Sequence, residues 1–141
     1  MTRVADIMST TLQVVRAQDT LQHAARYMKQ LNVGSLPVCE GTQLLGIVTD
    51  RDITVRGTAQ GLNPAEARVS DVMTRGVETC AADDDAETAL QVMGRAQVRR
   101  LPVVDAKRNL VGLVSLGDLS THQARGTDEA LREISTPSAA Q

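Results

Sequence analysis

Apolar residues recur along the chain at Leu21, Ala24, Ala25, Met28 and Leu31. This i, i+3, i+4, i+7, i+10 spacing predicts an amphipathic helix. The same spacing returns at Ala86, Ala89, Leu90, Met93 and Ala96. Asp19 and Asp84 stand where N-caps belong, with Gln22 and Glu87 three residues on. After each helix come two short runs rich in Val, Leu and Ile, at 36–39 with 44–48 and at 101–104 with 110–114. Turn-like EGTQ (40–43) and DAKRN (105–109) separate them, so both pairs read as hairpins. The hairpins end at Thr49 and Ser115, which open second short helices over 50–56 and 116–122. Short extended pieces at 13–15 and 78–80 precede the first helices, giving β-α-β-β-α twice.

The two halves are copies. VADIM (4–8) overlays VSDVM (69–73), and VGSLPV (33–38) overlays VRRLPV (98–103), at a constant offset of 65. One extra residue in the loop 105–109 shifts the offset to 66, where LLGIVTDRDI (44–53) meets LVGLVSLGDL (110–119). A long unit present twice implies a pseudo-two-fold pair, not a solenoid. The fold class is α/β (α+β), with repeat 1 at 1–60, a linker at 61–68, repeat 2 at 69–125 and a tail at 126–141. The stretch 57–68, with two glycines and Asn63-Pro64, holds about one helical turn. The tail is expected to carry a short helix over 128–134 and a frayed TPSAAQ end.

Composition narrows the function classes. The chain has 141 residues, 42% of them apolar and 23% charged, with a net charge of −2. Such a balance gives no general attraction to nucleic acid or anionic membranes. Tyr27 stands without a Phe or Trp in the chain, which argues against a nucleic-acid surface that works by base stacking on several aromatic side chains. No apolar run reaches the ~18 residues of a membrane span. The opening MTRVADIM has no apolar signal region, and two cysteines suit a reducing compartment, so a cytoplasmic location is expected.

The hydrophobic-Leu-Pro-Val strands and the G-h-h-[ST]-x-x-D strand-to-helix junctions resemble a tandem pair of CBS (cystathionine-β-synthase) domains, a Bateman module, over about residues 1–125. The layout is similar to that of small stand-alone CBS-pair proteins of the hypoxic-response and stress type. The resemblance implies two units packed through their sheets with two clefts between them. It implies an adenosine-containing ligand: AMP, ADP, ATP, NAD or S-adenosylmethionine. It also implies a disc-like homodimer, which agrees with the prevalence of two-fold dimers. With no effector domain in sight, a regulatory signal would pass to a separate, unidentified protein.

The candidate chemistry lies at the two junctions. Thr49 begins a helix, where free N–H groups and the dipole favour a phosphate. Asp52, one turn on, offers two oxygens to paired ribose hydroxyls. Gly46 permits a close backbone approach, and the second copy is Gly112, Ser115 and Asp118. The same Ser/Thr-x-x-Asp pattern is a capping box, and the two roles can coexist. In the resembled modules a basic residue before the Leu-Pro-Val strand meets phosphates. Arg100 is the candidate here, and Gly34 and Ser35 stand at the equivalent place of repeat 1, so unequal sites are expected. Arg51 and Arg56 lie near the first junction, where Arg51 is a further phosphate candidate and otherwise reads as a solvated surface residue. Val14, Ala17, Leu36, Pro37, Val38, Pro102 and Val103 could wall an adenine pocket, or serve the core.

Other residues carry blander readings. Met28 and Met93 lie on the apolar helix stripes and read as core. His23 and His122 occupy unmatched places and read as surface residues, without the three or four ligands of a zinc site. Asp83, Asp84 and Asp85 suit a helix N-terminus, so no metal is expected. Cys39 overlays Val104 and Cys80 overlays Val15, which points to packing, with redox chemistry as the sharper alternative. The chain shows no nucleophile–base pair and no P-loop, so no catalytic activity and no catalytic cofactor are expected. The competing reading is a ligand-independent dimeric scaffold or stress-response interaction protein, with a possible redox sensitivity.

Overall fold

The structure is a computed structural model that describes residues 2–121 and 127–135. The elements run α1 (Val4–Ile7), β1 (Val15–Arg16), α2 (Leu21–Leu31), β2 (Ser35–Glu40), β3 (Gln43–Thr49) and α3 (Asp50–Asp52). A π-helical turn (Ile53–Gly57) and a 3-10 turn (Thr58–Gln60) continue α3. Then come α4 (Val69–Val72), β4 (Thr74–Arg75), β5 (Cys80–Ala81), α5 (Ala86–Ala96), β6 (Arg100–Val104), β7 (Leu110–Ser115), α6 (Leu116–Thr121) and α7 (Thr127–Ser135). The mixed α/β class and the repeated β-α-β-β-α order hold. His122 and the expected frayed end lie outside the described residues.

Two compact units form, and they are offset from the sequence repeats. Gln13–Val77 make one, the N-repeat unit; Met1–Leu12 with Glu78–Gln141 make the other, the C-repeat unit. Each repeat is therefore completed by the segment that precedes the other repeat. In the N-repeat unit, Val69, Val72 and Met73 from α4 and its end join Val15, Leu21, Ala24, Met28, Leu36, Val38 and Val48 in one core. In the C-repeat unit, Val4 and Ile7 of α1 join Ala86, Ala89, Leu90, Met93, Leu101, Val103 and Val114. Val4 is 0% exposed, although it begins the chain's first helix.

The sheets follow the same logic. In the N-repeat unit the strand order is β1-β2-β3-β4, with β1 parallel to β2 and the other pairs antiparallel. In the C-repeat unit the order is β5-β6-β7, and Ser9 bridges Leu113 where β4 would lie. Both hairpins carry a register shift at the same place, Val38/Cys39 and Val103/Val104, after which the strands swing away from strict alternation. Inside each sheet, alternate residues of the buried hairpin strands face the helix side, so Leu36, Val38 and Val48 enter the core together.

Two local expectations need correction. The N-caps are Thr20 and Asp85, one residue later than Asp19 and Asp84. Thr20 Oγ1 accepts from the His23 N–H at 3.1 Å. The Asp19 and Asp84 carboxylates instead close the strand-to-helix turns, accepting from the N–H groups of Arg16 and Ala81, each at 2.8 Å. A short carboxylate can serve a turn behind it as well as a helix ahead of it, and here the turn wins. The second correction is Ala25, which the apolar spacing places on the buried stripe of α2 but which is exposed, whereas its counterpart Leu90 is buried.

Candidate functional site

The two strand-to-helix junctions are built alike. At the first, β3 ends in Thr49 and α3 starts at once. The Asp50 N–H donates to Gly34 O at 2.9 Å, which ties the helix start to the entry of β2. Thr49 Oγ1 accepts from the Asp52 N–H at 2.9 Å, and Asp52 Oδ2 accepts from the Thr49 N–H at 3.0 Å. At the second junction the Leu116 N–H donates to Arg99 O at 2.8 Å. Ser115 and Asp118 exchange the same two bonds, both at 3.0 Å. Thus both reciprocal caps are formed, and each carboxylate spends one oxygen on its own backbone.

The other oxygen of Asp52 faces a polar cluster. Its side chain is 13% exposed, and Arg56 Nε lies 4.0 Å from Oδ1. Arg56 Nη1 also donates to the carbonyls of Val72 and Met73, each at 3.3 Å. Thr74 Oγ1 lies 3.5 Å from both Asp52 oxygens. Gly46 makes this cluster possible: β4 pairs beside it, and a Cβ there would collide with Thr74 O. Gly112 plays the same part against Met8 and Ser9.

Thr74 and Ser9 escaped the sequence reading. They occupy matching places one residue beyond the VADIM and VSDVM overlay, at the offset of 65. That paired hydroxyl was the signal, but nothing local says that β4 or Ser9 returns to lie against β3 or β7. Arg56, which the sequence placed only near the first junction, engages its guanidinium with Asp52 and two carbonyls.

The remaining sequence candidates separate by position. Arg100 begins β6 directly opposite Ser115 in register, and is exposed, so it stands beside the second junction. Ser35 holds the corresponding place opposite Thr49. Arg51 is exposed on the first turn of α3. Leu36, Val38 and Val103 belong to the two apolar cores at 2%, 0% and 0% exposure. Val14 and Ala17 are half-buried, and Pro37 and Pro102 are buried on the alternate strand positions.

The cysteines and His23 are accounted for locally. Cys39 and Cys80 are buried free thiols. Burial pushes the Cys39 thiol up, and burial with the nearby Asp84 charge pushes that of Cys80 up to about 12. A thiol held protonated is a poor nucleophile, which opposes the redox alternative. His23 Nε2 lies 3.8 Å from Asp19 Oδ2, and its ring stacks on Tyr27 with centroids 6.2 Å apart. Among the described residues, no three His, Cys, Asp or Glu side chains gather to hold a metal. Among the same residues, no helix is long and apolar enough to cross a membrane.

A duplicated β-α-β-β-α unit with a capped Thr/Ser-x-x-Asp junction in each copy defines a class of tandem α/β modules. The CBS domain model matches residues 4–56 and 69–125, and the chain belongs to the CBS domain family. A CBS domain-containing protein of Bacillus subtilis, YhcV, is 46% identical over 123 residues, covering 87% of this chain and 86% of its own length. Hypoxic response protein 1 of Mycobacterium tuberculosis is 37% identical over 123 residues, covering 86% of this chain and 85% of its own length. The crystal structure of Hypoxic Response Protein I with two coordinated zinc ions matches with a TM-score of 0.79, covering 86% of this chain and 98% of that one. CBSX2 of Arabidopsis thaliana in complex with AMP matches with a TM-score of 0.78 at 25% identity, covering 87% of this chain and 96% of that one. The CBS domain pair of protein MJ0100, in complex with 5-methylthioadenosine and S-adenosylmethionine, matches at 0.76 and 28% identity, covering 87% of this chain and 96% of that one.

Proposed function

We propose that this protein is a non-catalytic regulatory module of the cytoplasm that binds an adenosine-containing ligand at its strand-to-helix junctions and signals to a separate effector protein. The observation that carries the reading is the duplicated junction, in which a half-buried carboxylate keeps an oxygen beyond its own cap. Asp52 and Asp118 bind the ribose hydroxyls. Thr49 and Ser115 lie toward the phosphates, Arg100 supplies charge at the second junction, and Arg51 does so at the first. Val14, Ala17, Pro37 and Pro102 flank the adenine, with Leu36, Val38 and Val103 as the core behind them. The ligands in the CBSX2 and MJ0100 structures support AMP and S-adenosylmethionine as the first candidates. ADP, ATP and NAD share the adenosine. The active assembly is a homodimer, and nucleic acid and membranes are not partners.

Calorimetric titration with AMP, ADP, ATP, NAD and S-adenosylmethionine tests this, run on the wild type, Asp52→Ala and Asp118→Ala. Micromolar binding of one ligand, lost in one variant and kept in the other, is expected from the unequal charges at Arg100 and Ser35. Heat that is unchanged in both variants would overturn the junctions as the site. The second reading, a dimeric scaffold without a nucleotide, is favoured by the closed caps, since both hydroxyls already have backbone partners. No heat and no thermal shift with any of the five ligands would establish it over the first.

A further inference from the structure

The two junctions share one cap and differ in what stands behind it. At the first, Asp52 Oδ2 serves the cap and Oδ1 faces Arg56 Nε at 4.0 Å. Arg56 belongs to the π-helical turn Ile53–Gly57, and two contacts fix that turn in place. Gly57 is buried, and a Cβ there would come within 2.9 Å of Leu21 Cδ1, so the turn presses directly on α2. Arg56 Nη1 donates to the carbonyls of Val72 and Met73, which lie 16 and 17 residues further along the chain. The side chain is 54% exposed, yet its charge is held beside one carboxylate. At the second junction Asp118 closes the same cap. Among the described residues, no basic side chain pairs with its carboxylate and no hydroxyl bonds it. The position that matches Arg56 at the offset of 66 is His122, a residue type without a fixed charge.

We propose that Arg56 competes with the ligand's ribose for Asp52, and so makes the first junction the weaker site and the second the one that fills first. The inference rests on the ribose reading of Asp52 and Asp118 in the proposed function, and adds the residue that sets their order. A ribose holds a carboxylate by donating from its two neighbouring hydroxyls. Such a bond is roughly twice as strong to an uncompensated charge as to a neutral acceptor. The Arg56 guanidinium offsets the charge of Asp52 and stands at the oxygen that the cap leaves over. The sugar must share Oδ1 with Arg56 or turn the guanidinium out; at Asp118 it meets neither demand. The size of the effect is bounded. A carboxylate accepts about four bonds, and a pair at 4.0 Å with a half-exposed arginine is weak in water. Arg56 therefore grades the first junction without shutting it. Arg51 and Arg100 differ from it: both are exposed, and among the described residues neither is held by a carboxylate, so they can meet a phosphate. Arg56 is already engaged at three points.

Calorimetry with adenosine tests this, because a neutral nucleoside offers Arg56 no phosphate. Asp118→Ala is expected to weaken adenosine binding more than Asp52→Ala does. In the Asp118→Ala chain the first junction alone remains. Adding Arg56→Met there is expected to tighten the adenosine Kd by about threefold, and adding Arg56→Lys, which keeps the charge, to leave it near its starting value. Salt screens the pair, so raising it is expected to tighten adenosine binding in Asp118→Ala more than in Asp52→Ala. That salt series needs no change at Arg56 and decides the matter if Arg56→Met fails to fold. An adenosine Kd unchanged or weakened by Arg56→Met in a folded chain, or an equal salt response at the two junctions, would overturn the competition and leave the ribose sites standing. AMP binding that weakens in Arg56→Met while adenosine is unmoved would overturn it too, and make Arg56 a phosphate ligand. Adenosine heat that is absent, or that neither Asp52→Ala nor Asp118→Ala alters, would overturn the ribose reading and this inference with it.

Discussion

Gly46 and Gly112 are one residue in two copies, yet what each faces differs. A Cβ at Gly46 meets a backbone carbonyl of Thr74, which is fixed by the β3–β4 pairing. A Cβ at Gly112 meets first the sulfur end of Met8, which can rotate away. Gly46→Ala is therefore expected to cost about 3 kcal/mol and Gly112→Ala about 1, read from urea unfolding of each variant. The thiols give a second residue-scale test. Cys39 and Cys80 should react with a disulfide reagent only after denaturation, since both are buried and protonated. Cys80 also implies a pH dependence. Its pKa is raised from 9.0 to about 12, so the unfolded chain releases the proton first as pH rises. Its contribution is whole below pH 9 and is lost as pH climbs towards 12. Cys80→Val copies Val15 of the other repeat, and its stability relative to wild type should grow above pH 9.

At the scale of elements, the short helices after β3 and β7 depend on their caps. Neither α3 nor α6 is long enough to be stable alone, and each starts directly from a strand with a Thr or Ser hydroxyl on the first free N–H groups. Thr49→Ala and Ser115→Ala should each destabilise the fold by about 1 kcal/mol in chemical denaturation. If ligand binding also draws on these hydroxyls, the loss of affinity should exceed what the stability change explains. The hairpins and their junctions were legible in the sequence because turn residues, strand alternation and a capping pattern are all local signals. The N-caps of α2 and α5 were misplaced by one residue. Asp19 and Asp84 had two acceptable uses, and only the path of the preceding strand decided between them.

At the scale of the whole molecule, the chain is threaded so that neither repeat is finished by its own sequence. The segment 1–12 closes the C-repeat unit, and 61–77 closes the N-repeat unit. A fragment of residues 13–77 is expected to fold, whereas one of 1–60 is not, because it lacks Val69 and Val72 at 0% and 1% exposure. Burying such side chains contributes roughly 1.5–3 kcal/mol each, comparable to the margin of a small domain. Circular dichroism melts of the two fragments distinguish the cases: equal cooperative transitions would refute the exchange of segments.

Local patterns in the chain carry the duplication, the element order, most of each helix stripe and the two Thr/Ser-x-x-Asp junctions. Periodicity encodes which face of an element is apolar, and turn chemistry encodes where the chain reverses. Neither encodes what will cover that face. Val4 and Ile7 look like Val69 and Val72 in sequence, and either pair could fill either core. Tertiary structure assigned each to the other repeat's unit, brought Thr74 to Asp52, and laid α7 on the C-repeat core. These choices rest on long-range packing, where the free energy comes from the area two distant segments remove from water together, and no window of sequence contains both.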